Sequence, residues 1–163
     1  MKIKGNAWCY GDDINTDFIY PGRYLELTDP KEIAKHAMEG IDAGFVKKVK
    51  SGDVVVGVRN MGLGSSREQA PIALKQAGVG AVVAQSFARI FYRNAFNVGL
   101  PAIECQEANK IKTGDLVEID TIIGIIYLNE KTQLRIKPLP EFMSHLLEDG
   151  GLVPYLKKHL NEW

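Results

Sequence analysis

Residues 54–86 read VVVGVRNMGLGSSREQAPIALKQAGVGAVVAQS, and this stretch decides the fold. Val54-Val55-Val56 predicts a buried strand, because β-branched residues suit the pleated backbone and Gly52-Asp53 punctuates its start. Asn60-Met61-Gly62-Leu63-Gly64-Ser65-Ser66-Arg67-Glu68-Gln69 follows as a loop that its two glycines allow to turn tightly. Ala70, Ala73, Leu74 and Ala77 stand at the i, i+3, i+4, i+7 spacing of one helical face. Gly80-Ala81-Val82-Val83-Ala84-Gln85 is a second buried strand. Strand, helix and strand in this order predict a parallel βαβ unit with a right-handed crossover. The two serines and the arginine therefore fall where a strand hands over to a helix. At such a place backbone N–H groups face outward and negative charge is favoured.

Working outward, residues 2–9 predict a first strand. Gly11-Asp12-Asp13-Ile14-Asn15-Thr16-Asp17 is a polar loop, read on composition alone as a solvated turn. No acidic residue follows it at EF-hand spacing, which discounts calcium. Phe18-Ile19-Tyr20 comes next, and Pro21-Gly22 breaks the run. Thr28-Asp29-Pro30 announces a helix capped by Asp29, with Glu32 three residues after the cap and Gly40 at its end. Residues 41–50 form a connector whose Lys47, Lys48 and Lys50 make a solvated face. Ser86 is placed to cap a further helix with an apolar stripe of Phe87, Ile90, Phe91, Ala95 and Val98. Arg89 and Arg93 share another face of it, read as solvated or salt-bridged, with a partner or substrate surface as the alternative.

Ala102-Ile103-Glu104 is a third strand candidate. From Gly114 the pattern changes: Leu116–Ile119, Ile122–Leu128 and Leu134–Ile136 predict short antiparallel strands joined by turns such as Asn129-Glu130. A helix through Phe142, Leu146 and Leu147 follows, stopped by Gly150-Gly151, and Leu152-Val153-Pro154-Tyr155 opens a short last helix. There is no internal repeat, low-complexity run or linker, so one domain over 1–163 is expected.

Composition removes several function classes. Twenty basic and twenty acidic residues leave no net charge, hence no broad attraction to nucleic acid or an anionic membrane. The first residues lack the apolar core of a signal peptide and no run reaches membrane-spanning length, so a cytoplasmic protein is expected. Cys9 and Cys105 are the only cysteines, and two isolated thiols do not supply an iron–sulfur or closed zinc site. His36, His145 and His159 show no mutual metal-ligand spacing. No metal site is expected on this chain.

The loop itself has two compatible readings. One is a helix start, because Ser65 with Glu68, or Ser66 with Gln69, fits the capping-box spacing. The other is an anion site in which N–H groups, two hydroxyls and a guanidinium converge. A Walker-type phosphate loop needs a lysine that is absent after Gly64, the dinucleotide fingerprint fails at Arg67, and there is no nucleophile elbow. These failures favour a carboxylate over a nucleotide.

At this point Gly62-Leu63-Gly64-Ser65-Ser66-Arg67-Glu68-Gln69-Ala70-Pro71 resembles the GxGSSRE(H)AP motif of the aconitase superfamily's swivelling domain. The resemblance is closest to the separate small subunits of 3-isopropylmalate dehydratase and homoaconitase. Asp12–Asp17 with Pro21-Gly22-Arg23-Tyr24-Leu25 is similar to the family's N-terminal signature. Ser86–Phe96 resembles a third block, and Gly150–Tyr155 resembles the C-terminal end. Leu63 and Gln69 replace the cysteine and histidine common in the motif.

The resemblance implies an α/β fold, a swivelling β/β/α domain with a βαβ core and additional antiparallel strands. It implies a hydro-lyase that isomerises a small hydroxy-di- or tricarboxylic acid by removing water and adding it back in the other position. By motif position Ser65 would be the catalytic base and Asp17 would organise the arginines. Arg67, Ser66 and Arg23 would bind substrate carboxylate. The family's [4Fe–4S] cluster, with its three cysteines, would sit on a large-subunit partner, and this chain would bind none. The loop after Tyr24-Leu25 separates isopropylmalate from homoaconitate in the family. Here Glu26 would repel an additional carboxylate and Leu27 would suit an isopropyl branch, so isopropylmalate and leucine biosynthesis are the expectation. Homoaconitate, dual specificity and a stand-alone carboxylate-binding module are the alternatives.

Overall fold

Strand β1 (Lys2–Gly11) is the seam of the molecule, because its two halves pair with different partners. Residues 2–6 run antiparallel to β5 (Leu116–Asp120), from Lys2 against Asp120 to Asn6 against Leu116. Residues 7–11 run parallel to β2 (Val54–Gly57), from Ala7 against Val54 to Gly11 against Gly57. The whole, a computed structural model, describes residues 1–162; Trp163, the last residue of the expected domain, lies outside them.

Beyond β2 the sheet continues in parallel through β3 (Ala81–Ala84) and β4 (Ala102–Glu104). Beyond β5 it continues as an antiparallel meander through β6 (Ile125–Leu128) and β7 (Thr132–Arg135). The order is β4-β3-β2-β1-β5-β6-β7. Helices α1 (Thr16–Ile19), α2 (Pro30–Ala34) and α3 (Phe45–Lys48) lie between β1 and β2. Helix α4 (Gln69–Gln76) forms the crossover to β3, and α5 (Arg89–Asn97) the crossover to β4. Helices α6 (Glu141–Glu148) and α7 (Leu152–Lys158) close the chain.

The parallel strands are buried on both faces, as covered parallel sheets are. Val55 and Val82 face a core with Ala70, Ala73 and Leu74 of α4 and Phe91, Ala95 and Phe96 of α5. Val54, Val56, Ala81 and Val83 face a second core shared with Val117 and Ile119 of β5 and Ile126 and Leu134 of the hairpin. The meander alternates buried and partly exposed positions, as a one-faced antiparallel sheet must. Its turn at Asn129-Glu130 places both residues at positive φ, 52° and 60°, which suits a right-handed hairpin.

Several local expectations fail, each for a packing reason. Helix α4 begins at Gln69 with no side-chain cap, so neither serine forms a capping box. Its entry is set by tertiary bonds to the preceding loop. Ser86 does not cap α5, which begins at Arg89; its hydroxyl accepts from Asn60 N at 2.9 Å and joins two loops instead. Asp29 caps α2 through Lys31 N, yet the helix stops at Ala34 rather than Gly40. The chain there turns under α1, where Met38 N and Gly40 N donate to Ile19 O and Phe18 O. Residues 45–48 of the expected connector are helical. Ile90, expected on the apolar stripe, is 49% exposed. Ile122 and Ile123, expected in a strand, form the exposed turn before β6.

Candidate active site

The loops leaving the carboxyl ends of β1, β2 and β3 keep the order of their strands. Gly62 N donates to Ile14 O at 2.7 Å and Thr16 N to Leu63 O at 2.8 Å, tying the first loop to the second. Met61 N donates to Ser86 O and Ala88 N to Met61 O, both at 3.0 Å, tying the second to the third. The three loops thus meet at the carboxyl edge of a parallel sheet, the general location of ligand sites in open α/β folds. Gly62 lets them meet: a Cβ there would lie 2.2 Å from Phe91 Cγ, on a ring that is buried.

Ser65 and Ser66 stand exposed on this edge. Ser65 Oγ lies 3.4 Å from Thr16 Oγ1, and Thr16 is only 3% exposed. Among the described residues, the N–H groups of Ser65, Ser66, Arg67 and Glu68 donate to no protein acceptor. Arg67, in contrast, is drawn inward and is 19% exposed. Its Nη1 donates to Asp17 Oδ1 at 2.8 Å and to Tyr20 O at 3.1 Å, while its Nε is buried with no partner among the described residues. A buried N–H without an acceptor is costly, and this is a polar group the fold leaves unsatisfied. Asp17 Oδ1 also accepts from Gly22 N at 2.9 Å. The hydrogen bond from Arg67, then that from Gly22 N, holds the Asp17 carboxyl below its usual range. A Cβ on Gly22 would crowd Arg67 Nη2 at 3.0 Å, so glycine keeps the loop against the ion pair.

Arg23 follows Gly22, but its guanidinium turns to Glu39 Oε1 at 2.9 Å and lies 4.8 Å from the centre of the Tyr24 ring. Tyr24 Oη donates to the same oxygen at 2.6 Å, and the Tyr24 ring stacks on His36. Burial pushes the Glu39 carboxyl up, yet the hydrogen bonds from Tyr24, His36 and Arg23 outweigh it and hold the group low. Glu26 is exposed with no ion pair among the described residues. Leu27 packs partly against the first core, whereas Leu25 is 41% exposed and its carbonyl accepts from Gln69 Nε2 at 3.3 Å.

The structure therefore brings Ser65, Ser66, Arg67 and Asp17 together and leaves Arg23 and Glu26 on the rim. Reading the sequence missed Thr16, whose hydroxyl faces Ser65. Nothing in a run of turn formers separates a buried threonine from a solvated one. The sequence reading puts a solvated or salt-bridged use of Arg89 and Arg93 first and a partner or substrate surface second. Both arginines are exposed, and with Gly62, Gly64, Ala88 and Ile90 they line a cleft of about 370 Å³ beside the serine loop.

The thiols do not fit a metal centre. Burial pushes the Cys9 thiol up to about 11, with Sγ bonded to Ile111 O, and Cys105 is buried and also raised by burial. Among the described residues no group of three His, Cys, Asp or Glu side chains could hold a metal ion. No helix of the described residues is long and apolar enough to cross a membrane.

The family described as the aconitase C-terminal domain matches residues 11–108, the span that carries β1's end, the serine loop and α5. The 3-isopropylmalate dehydratase small subunit of Caldicellulosiruptor saccharolyticus is 52% identical over 99% of this chain and 95% of its own length. The chain belongs to the aconitase-type small subunits of 3-isopropylmalate dehydratase. Other relatives agree in extent. The isopropylmalate/citramalate isomerase small subunit of Methanocaldococcus jannaschii is also 52% identical, over 98% of this chain and 96% of that one. A crystal structure of 3-isopropylmalate dehydratase from the same organism superposes with a TM-score of 0.94, at 52% identity over 99% and 96% of the two chains. Aconitase X of Thermococcus kodakaraensis shares the fold alone, with a TM-score of 0.52 at 16% identity over 84% of this chain and 91% of that one. The α/β swivelling fold read from the sequence stands, with its βαβ core and added antiparallel strands.

Proposed function

We propose that this chain, acting as one domain over 1–163, is the small subunit of a hydro-lyase that interconverts 2-isopropylmalate and 3-isopropylmalate by dehydration and rehydration, in leucine biosynthesis. The observation that carries the reading is the inward-drawn guanidinium of Arg67, paired with Asp17 and left without an acceptor at Nε among the described residues, two residues from an exposed Ser65. Membership of the small-subunit family supports it.

In this reading the Arg67 guanidinium binds a substrate carboxylate, because its planar fork suits a carboxylate better than an ammonium does. Ser66 and the open N–H groups of the loop add donors to the same anion. Ser65 takes the proton from the carbon next to the departing hydroxyl. A serine is a weak base in water; neighbouring N–H groups, the Thr16 hydroxyl and the Arg67 charge stabilise its alkoxide when water is excluded. Asp17 acts by fixing Arg67, and Arg23 reaches the substrate by leaving Glu39. This chain's thiols do not suit a [4Fe–4S] cluster, so the cluster, the Lewis acid for the hydroxyl, belongs to a large-subunit partner. The enzyme works in the cytoplasm and uses neither nucleic acid nor membrane.

The branch of the malate is set by the loop that follows Tyr24. Exposed Glu26 disfavours an added carboxylate, and Leu25 joins Leu27 as a candidate apolar contact. The Methanocaldococcus relative is named for citramalate as well, so a methyl branch is the second reading. Reconstitution with a large subunit, assayed separately on isopropylmalate, citramalate and homoaconitate, tests both. Isopropylmalate turnover that needs both chains is expected; full activity of the large subunit alone rejects the proposal. Glu26→Arg is expected to raise homoaconitate turnover relative to isopropylmalate, and no shift removes Glu26 from specificity.

A further inference from the structure

The exposed face of α5 carries Arg89, Ile90 and Arg93 beside the serine loop. Among the described residues neither arginine makes an ion pair, whereas Arg23, Arg59 and Arg67 are paired with Glu39, Asp12 and Asp17. The chain holds as many acids as bases, so acids are available; none reaches these two. Arg89 moreover occupies the first residue of α5, where a cation opposes the positive end of the helix dipole. Between them Ile90 is 49% exposed. A mixed patch of arginines around an apolar side chain is poor at serving the chain's own stability and is the composition enriched in interface centres.

We infer that the cleft formed by Gly62, Gly64 and the Arg89-Ile90-Arg93 face of α5 receives an acidic segment of the large subunit, two carboxylates meeting the arginines and an apolar side chain meeting Ile90. The inference rests on the reading of this chain as a small subunit. Two observations direct the cleft to that partner. Ser65 can reach a substrate held by another chain only if the carboxyl edge of the sheet faces that chain, and the cleft shares Gly62 and Gly64 with the serine loop. Its two free positive charges then need negative ones opposite, since unpaired charges desolvated at an interface oppose association. Arg89 and Arg93 thereby orient the serine loop on the partner and take no part in proton transfer.

The test is the equilibrium association of the purified chain with its large subunit at several salt concentrations. Double charge reversal, Arg89→Glu with Arg93→Glu, is expected to weaken association roughly a hundredfold and to flatten its salt dependence. The matching Lys double variant is expected to recover most of the affinity, because both positive charges remain. Turnover of the reversed variant is expected to return once it is added at saturating concentration, and its thermal melt is expected to be no lower than wild type, since an acid suits the first residue of α5. Unchanged association with a raised KM for the hydroxy acid overturns the inference in favour of a substrate subsite. Unchanged association and unchanged kinetics overturn it in favour of a solvated face. Failure of the wild-type chain to bind any large subunit is a different result, which removes the small-subunit reading itself.

Discussion

Arg67 and Ser65 lie two residues apart and are exposed to opposite degrees. Arg67 is held by Asp17 and Tyr20 O, so a substitution there alters a fixed cation, whereas Ser65 is exposed and its hydroxyl has Thr16 Oγ1 as its one hydrogen-bond partner among the described residues. Ser65→Ala is therefore expected to abolish turnover while changing stability by no more than about 0.5 kcal/mol, the usual range at an exposed site. Near-normal turnover of that variant in the reconstituted enzyme removes the base assignment. Arg67→Lys keeps the charge and loses the planar fork, so turnover and substrate affinity are both expected to collapse. Asp17 offers a check that needs no partner. Its pKa is depressed in the folded chain, first by the hydrogen bond from Arg67, so the stability that this contact contributes is complete above the ordinary aspartate range and is lost as pH falls through the folded value. In an NMR titration the Asp17 carboxyl is expected below the ordinary aspartate pKa, and to move up toward it in Arg67→Ala.

At the scale of elements, the serine loop is held by its neighbours more than by its own propensity. Helix α4 has no side-chain cap, and the loop before it is fixed by backbone hydrogen bonds to the loops after β1 and β3, among them Gly62 N to Ile14 O and Met61 N to Ser86 O. The approach of α5 depends on Gly62, which has φ of 85° and faces the Phe91 ring. Gly62→Ala is expected to destabilise the chain by about 3 kcal/mol, because positive φ and a buried clash act together. The midpoint of urea unfolding measures this, and a loss under about 1 kcal/mol means the loop relaxes away from α5. These elements were readable to different depths. Val54–Val56 and Ala81–Ala84 announced buried strands because β-branched runs between glycines have few other uses. The start of α2 at Pro30 agrees with its cap at Asp29. Helices α4 and α5 start two or three residues later than caps at Ser65, Ser66 and Ser86 predict, because serines have capping chemistry that the tertiary structure leaves unused there.

The whole molecule joins a parallel and an antiparallel half of one sheet through β1, and Asp53 pins the junction. Its carboxylate accepts from Asn6 N at 3.0 Å, Trp8 Nε1 at 2.9 Å and Lys50 N at 2.9 Å, and it is 5% exposed. Asn6 is the last residue of β1 paired with β5, and Ala7 the first paired with β2. Asp53→Asn places an amide N–H against one of three donors and is expected to cost about 2 kcal/mol. Thermal or urea unfolding checks it, and an unchanged midpoint rejects the role. The amino-acid sequence by itself determined the βαβ unit, the meander and the four blocks that mark the family, because these rest on local pattern: β-branched runs, helical spacing and turn chemistry. Only the tertiary structure decided which polar residues face each other. It buried Arg67 against Asp17 across fifty positions, set Thr16 behind Ser65, turned Arg23 onto Glu39 and left Arg89 and Arg93 without acids. Side-chain pairing depends on where distant loops meet, and spacing along the chain carries no record of that.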